Sequence, residues 1–555
     1  MIAESGPTGG IAVIEASIPP PAARRPAHRS LMARGAVSLA LLGLLLLPSL
    51  VGRAQAQPPT RPRLVLVIVV DQLRQEYLNR MEGELDGGIG RLLERGAVFT
   101  DAYLAHYPSV TAVGHATVMT GAMPAQSGIV GNDWFDRASG KNVASVSDDQ
   151  VELVGAQGPG ASPRRLLVST VGDELKTAEP RAKVIGISSK DRAAILPAGR
   201  MADLALWFDR RSGRFVTSTW YTDALPGWAE ELDAQDPVSR YAGKEWSPLD
   251  GHGEAFTTIP TGPPEAVSGA VNGSPFGSEL LVELALSAIR AERLGQRGVT
   301  DILAISFSAN DSIGHHYGPE SPQIRDATLR TDRDVLRLLE VVETQVGLQH
   351  TIVVLTSDHG VAPVPEEQVA RRMPGGRITG AEILDPLKAA LNAAFGEADW
   401  VLGTAGSSVY LNHARIRERG LDGARVRQVA AAAVAAVPQV ARVFTRDQLL
   451  LGQVPPDPFS LRVLRSYHSQ RSGDLEILLD PYWMRAKRGT THGTPYTYDT
   501  HIPLLVMGPG IRPGCYHRHV DLNDLAPTLA TLVGTEVPSG SSGRILDEML
   551  DVGGD

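Results

Sequence analysis

The chain has 555 residues, of which 43% are hydrophobic and 21% charged, the balance of a soluble globular protein. Its formal charge of −9 argues against a nucleic-acid-binding surface, which needs a basic excess. Cys515 is the only cysteine, so no intrachain disulfide can form, and the fold must rest on its core and on any bound metal.

The first segment stands apart. "MARGAVSLALLGLLLLPSLVGRAQA" holds Arg34, an apolar run from Ala36 to Val51, and Ala54-Gln55-Ala56. Charged, apolar and small residues in that order mark an export signal. The run is short for a bilayer span of roughly 20 residues, and Pro48 interrupts it. Residues 1–56 are therefore expected to be a leader and signal peptide, with Met32 an alternative start. The mature chain is expected in the periplasm or outside the cell, with no stable membrane span. An anchor that stays attached is the competing expectation.

Beyond it, short β-branched runs each end in a polar cluster. "RLVLVIVV" meets Asp71, "KVIGISS" meets Lys190, "DILAISFSAN" meets Asp311, "TIVVLTS" meets Asp358, and "HIPLLVMGPG" closes the set. Unbroken apolar strands are expected where helices cover both faces of a sheet. Helical patterns such as "SELLVELALSAIRAERLG" and "RDATLRTDRDVLRLLEVVETQVG" lie between them. The alternation predicts an α/β fold, with a doubly wound, mainly parallel central sheet between helices. Residues 57–555 are expected to form one domain with two insertions. The first, about 197–275, holds Trp207, Trp220, Trp228 and Trp246 and is expected to be a cap. The second, about 375–480, contains "GARVRQVAAAAVAAVPQVARVF" and is expected to be a small α+β subdomain.

Open parallel sheets bind ligands outside the carboxyl ends of their strands. Asp71, Lys190, Asp311 and Asp358 stand at four such ends. Any one alone reads as turn chemistry; four together, with histidines beside them, point to a site. "NDSIGHHYG" puts Asp311 and His315 at i and i+4, on one face of a helical turn, with His316 pointing elsewhere. Asp358-His359 is a second carboxylate–imidazole pair, and Asp71 a third carboxylate. "THGTPYTYDTHIP" offers His492 and His501. Three aspartates and three histidines suit two sites for zinc or another first-row divalent ion. Two ions about 4 Å apart can clamp a phosphoryl group. In "YPSVTAVGHATVMTG", Thr111 opens an Ala/Val helix, where free N–H groups favour an anion. It reads either as a helix cap or as a nucleophile toward phosphorus. In "GIVGNDWFD", Asn132 could hold a phosphate oxygen.

Taken together, "VDQLR", "PSVTAVGHATVMTGAMPAQSGIVGNDW", "SSKDRA", "SANDSIGHHYGP", "TSDHG" and "THGTPYTYDTHIPLL" resemble the alkaline phosphatase superfamily. Within it, they resemble bacterial secreted phosphatases with a threonine nucleophile. The likeness spans nearly the whole mature chain. It implies two zinc ions: Asp71, Asp358 and His359 would hold one, which also binds Thr111; Asp311, His315 and His492 would hold the other. His492 is preferred to His501 because the family's ligand is closely followed by glycine, here Gly493. The resemblance further implies that Thr111 attacks and becomes phosphorylated, that Asn132, Lys190 and Arg192 grip the non-bridging oxygens, and that water then releases inorganic phosphate. Lys190 and Arg192 would take the place of a third, magnesium-like site. Two cations aimed at the extra charge of a monoester favour small phosphate monoesters as substrates.

A nucleotide pyrophosphatase or phosphodiesterase of the same superfamily is the alternative. It would share the metal set but carry an apolar slot in place of the Lys/Arg pair. A sulfatase would need cysteine or serine where Thr111 stands, and a phosphoglycerate mutase a serine. An exported, non-catalytic metal-binding protein is the non-enzyme alternative, and it would be expected to have lost a ligand or the nucleophile; none is missing.

Overall fold

Leu64–Val70 (β1) is a run of seven apolar residues, every one buried. A strand with no polar face must be covered on both sides. The computed structural model describes residues 61–551 and sets β1 inside an eleven-stranded sheet. The leader expected over residues 1–56 lies outside the described residues.

The other strands of this sheet, in chain order, are β2 (Ala97–Phe99), β3 (Ser147–Val154), β4 (Pro159–Ala161), β5 (Val184–Ser188), β6 (Leu204–Asp209), β7 (Arg214–Ser218), β8 (Asp301–Phe307), β9 (Thr351–Thr356), β10 (Leu504–Met507) and β11 (Gly514–Tyr516). Their spatial order is β11-β2-β10-β9-β1-β8-β5-β6-β7-β3-β4. β9, β1, β8, β5 and β6 are parallel neighbours. β10 pairs antiparallel with β9 and β2, and β7, β3 and β4 extend the other side antiparallel. The expected doubly wound sheet is thus present, and its parallel part is a five-stranded centre.

The two-residue period of β1 divides its side chains between two cores. Leu64, Leu66, Ile68 and Val70 face helices α3 (Pro275–Ala291) and α5 (Pro322–Gln345). Val65, Val67 and Val69 face α1 (Thr111–Thr120) and α6 (Leu525–Val533). Each such buried side chain stabilises the fold by about 1.5–3 kcal/mol.

The stretch from about 197 to 275 requires a correction. Its first part is no cap: it supplies β6 and β7, whose Phe208 and Phe215 are buried edge to face with ring centroids 5.5 Å apart. The apolar surface of "LALWFD" is satisfied by continuing the sheet. The rest packs helices Gly227–Ala234 and Pro264–Asn272 onto α3. Trp246 is buried there, its Nε1 donating to Asp326 Oδ2 at 2.6 Å. Within the stretch from about 375 to 480, Val401–Ala405, Ser408–Leu411, Leu475–Leu479 and Val440–Thr445 form a separate four-stranded antiparallel sheet. Helices Gly380–Phe395 and Gly423–Ala435 cover it through a cluster of their own, including Leu387, Leu391, Val426 and Leu411.

Candidate metal centre

Because β1, β5, β8 and β9 are parallel and in register, their carboxyl ends share one edge of the sheet. Asp71 follows β1 directly. Lys190 lies two residues past β5, at the start of α2 (Asp191–Ala198). β8 leads into α4 (Ala309–Tyr317), which carries Asp311 and His315 one turn apart, with His315 Nε2 3.2 Å from Asp311 Oδ1. Asp358 and His359 follow β9.

Two groups of ligand atoms result. Asp71, Asp358 and His359 lie with one ligand atom each within 4.8 Å of one another, and so do Asp311, His315 and His492. His359 Nε2 is 3.5 Å from Asp71 Oδ1 and 3.3 Å from Asp358 Oδ2. His492 Nε2 is 3.6 Å from Asp311 Oδ1. Each histidine spends Nδ1 on a backbone carbonyl: His359 on Gly360 at 2.9 Å, His492 on Ser109 at 2.8 Å, and His315 on Thr490 at 2.8 Å. This presents all three Nε2 atoms to the centre, the arrangement that orients metal-binding imidazoles.

The donors fit a divalent cation. Asp71 Oδ1, Asp358 Oδ2 and His359 Nε2 are buried and have no hydrogen-bond partner. Converging, orphaned carboxylate and imidazole atoms are costly unless a cation neutralises them. Burial first, and then Asp358, pushes the Asp71 carboxyl up, against the pull of Lys190. Burial lowers His359 to about 4 and, helped by His359 and His315, holds His492 well below the usual imidazole range. Burial opposes charge on His315 too, but Asp311 overrides it and lifts that ring to about 9. Mixed oxygen and nitrogen donors of this kind suit zinc or a neighbouring first-row ion.

α1 points its N-terminus at these groups. Its first turn lies so close to Asp358 that a Cβ on Gly114 would come within 2.2 Å of the Asp358 carbonyl oxygen. His115 is fully buried and donates from Nδ1 to the Thr111 carbonyl at 2.9 Å, with Asp358 Oδ2 at 3.1 Å from the same nitrogen. Ser109, two residues before Thr111, holds His492. Buried Thr111 is thus flanked by contacts to both groups. The Ala112 N–H donates to Asn132 Oδ1 at 2.8 Å, which fixes Asn132 beside Thr111. Lys190 Nζ is 2.6 Å from both Asp71 Oδ2 and Asp311 Oδ2. Arg192 is in the first turn of α2, which packs on α1, and its Nε is buried without a partner.

The structure therefore brings Asp71, Asp311, His315, Asp358, His359 and His492 together, with Lys190 among them and Thr111 and Asn132 alongside. His501 stays out: its ring stacks on Tyr103 with centroids 4.5 Å apart, and its Nε2 is 3.0 Å from the Thr100 carbonyl oxygen. His316 instead packs edge-on against Tyr317. Two participants escaped the sequence reading. His115 sits one helical turn after Thr111, a spacing that could have drawn notice. Gln72, beside Asp71, donates from Nε2 to Asp311 Oδ1 at 2.6 Å. A cavity of about 400 Å³ opens beside Val110, Asn132 and His492, and the small antiparallel sheet forms its far wall.

A doubly wound sheet carrying two carboxylate–imidazole groups beside a helix N-terminus defines a metal-binding hydrolase of alkaline phosphatase-like fold. The chain belongs to the type I phosphodiesterase / nucleotide pyrophosphatase family, whose model matches residues 65–501. It is 33% identical over 539 residues to alkaline phosphatase PafA of Elizabethkingia meningoseptica, covering 92% of this chain and 98% of that one. It is 34% identical over 523 residues to alkaline phosphatase PhoV of Synechococcus elongatus, covering 89% and 94%. The crystal structure of wild-type PafA matches with a TM-score of 0.83 at 32% identity, over 89% of this chain and 100% of that one.

Proposed function

We propose that this chain is an exported alkaline phosphatase that hydrolyses small phosphate monoesters at a two-zinc site, through a phosphothreonine at Thr111. The observation that carries this reading is the convergence of six ligand side chains, remote in sequence, beside the N-terminus of α1. Its relatives PafA and PhoV are named alkaline phosphatases. A crystallised PafA variant bears substitutions at a threonine, an asparagine, a lysine and an arginine. Thr111, Asn132, Lys190 and Arg192 are the same residue types in the same order.

Asp71, Asp358 and His359, with Thr111, would hold one ion, and Asp311, His315 and His492 the other. Bound there, the two cations would neutralise developing charge and align the entering and leaving oxygens. The chain's own groups do the rest. The dipole of α1 draws the phosphate to the helix N-terminus. Thr111 Oγ1 gives up its proton to solvent and forms a bond to phosphorus as the ester oxygen leaves with the bonding pair and takes up a proton from solvent. Water then cleaves the phosphothreonine and frees inorganic phosphate and the Thr111 hydroxyl. Asn132, its Oδ1 engaged by Ala112, has its amino group to offer a non-bridging oxygen. Lys190 and Arg192 supply positive charge where a monoester carries more negative charge than a diester.

Export through residues 1–56, and a single catalytic domain over 57–555 bearing the small α+β insertion, complete the proposal. Among the described residues no helix is long and apolar enough to cross a membrane. The matched family description favours one rival, a phosphodiesterase or nucleotide pyrophosphatase. Steady-state hydrolysis of a matched monoester and diester by zinc-loaded protein separates the two. Strong monoester preference with two metals per chain is expected; a diester preference would establish the rival.

A further inference from the structure

Gln72 belongs to neither ligand group, yet it touches both. It is fully buried and has a φ of 70°, a left-handed conformation uncommon for a residue with a long side chain. That backbone turn aims its N–H at Asp358 Oδ1, 3.1 Å away, while its Nε2 donates to Asp311 Oδ1 at 2.6 Å. Asp358 is in the first group and Asp311 in the second. The neighbouring Leu73 N–H continues the seam by donating to Ser357 Oγ at 2.9 Å, and that hydroxyl donates to the His359 carbonyl at 2.7 Å.

The space for the Gln72 amide is specific. Gly314 lies between Asp311 and His315 on α4, and a Cβ there would come within 1.8 Å of Gln72 Oε1. A strained backbone on one side and a side-chain-free residue on the other hold one amide in one place. Lys190 also bridges the groups, through Asp71 and Asp311, but its charge is assigned to the substrate. Gln72 is neutral, buried and turned away from solvent, so its two bonds can persist through turnover.

We propose that Gln72 is a positioning residue that couples the two cation sites. Its backbone orients Asp358 for one ion and its side-chain amide orients Asp311 for the other, so filling one site pre-orders the second. This inference rests on the two-cation reading above.

The test is stepwise zinc binding to the full-length protein, by competition with a chromophoric chelator. Gln72→Gly keeps the backbone donor to Asp358 and accepts the positive φ, and so removes only the Asp311 brace. Gln72→Glu keeps the shape but replaces the donor with an acceptor. Wild type is expected to bind two zinc ions with positive coupling. In both variants the tighter step is expected to hold within about twofold, while the weaker step falls about 10–100-fold and the coupling disappears. Unchanged stepwise affinities, or equal losses at both steps, would overturn the role of Gln72. A wild-type protein that binds fewer than two zinc ions would instead overturn the two-cation reading, and this inference with it.

Discussion

The imidazole of His492 stacks face to face on that of His359, with ring centroids 3.6 Å apart and planes inclined by 15°. One ring belongs to each ligand group, so the two groups share a wall. Two imidazolium rings at this distance would repel. Burial keeps both neutral, lowering His359 to about 4 and His492 well below the ordinary range. Neutral imidazole is the form that binds metal, so the stack holds both sites ready for cations.

Thr111 is the nucleophile in this scheme, and its hydroxyl has no substitute nearby on α1: Ala112, Val113 and Gly114 follow it. Thr111→Ala is expected to lower kcat for monoesters by about 10⁴-fold or more. It should also abolish the phosphorylated species seen by intact mass after acid quench. An undiminished phosphoprotein signal from the variant would remove Thr111 from its role.

The Lys190 and Arg192 charges should matter in proportion to substrate charge. Charge-assisted hydrogen bonds contribute about 1.5–3 kcal/mol each, so the double variant Lys190→Ala/Arg192→Ala is expected to lose about 10²–10⁴-fold in kcat/KM on a monoester. The loss on a diester with the same leaving group should be far smaller. Parallel losses on both substrates would show that the pair does not read the monoester charge.

His492 and His501 offer a paired control. His492→Ala is expected to reduce bound zinc from two ions per chain to one and to abolish turnover. His501→Ala removes a stack on Tyr103 and should leave metal content unchanged, at a stability cost of about 0.5–1.5 kcal/mol. Elemental analysis of both variants decides it, and loss of metal in His501→Ala alone would reverse the assignment.

Asp474 ties the small antiparallel sheet to the turn of the hairpin that follows Asn132, between strands Asp133–Asp136 and Lys141–Ala144. It is buried and accepts from His413 Nε2 at 2.6 Å, Arg137 Nη2 at 2.7 Å and the Leu411 N–H at 2.8 Å. Burial alone would raise its carboxyl, but the His413 bond and the Arg137 charge overrule it and hold it below the usual range. A carboxyl lowered in the folded state stabilises the fold above its unfolded pKa of about 3.9, and that contribution is lost as pH falls through the folded value. Asp474→Ala is therefore expected to cost about 3–5 kcal/mol near neutral pH. The gap from wild type should narrow below about pH 4 in chemical denaturation. A gap independent of pH would mean that the charge of Asp474 is not what stabilises the contact.

Much of the centre was legible because the fold is parallel. An unbroken apolar run such as Leu64–Val70 has to be an inner strand, and the polar cluster just after it has to stand at the sheet edge. Asp71, Asp358 and Asp311 follow from that rule, and the i, i+4 spacing adds His315. His492 and His501 were harder to tell apart, since both precede the same strand. Only the path of the loop past Ser109 brings one in and leaves the other against Tyr103. β6 and β7 were missed because a tryptophan-rich stretch in Gly/Ser surroundings resembles surface structure until its phenylalanines are seen packed inside. Gln72 had no spacing to betray it. Its importance lies in a backbone angle and in partners 239 and 286 residues away.

The most direct measurement is monoesterase activity during titration of metal-free protein with zinc. Activity is expected to be absent at the start, to rise with added zinc and to reach its plateau at two ions per chain. Full activity before any zinc is added, or a plateau that bears no relation to two equivalents, would contradict a hydroxyl working beside a pair of cations.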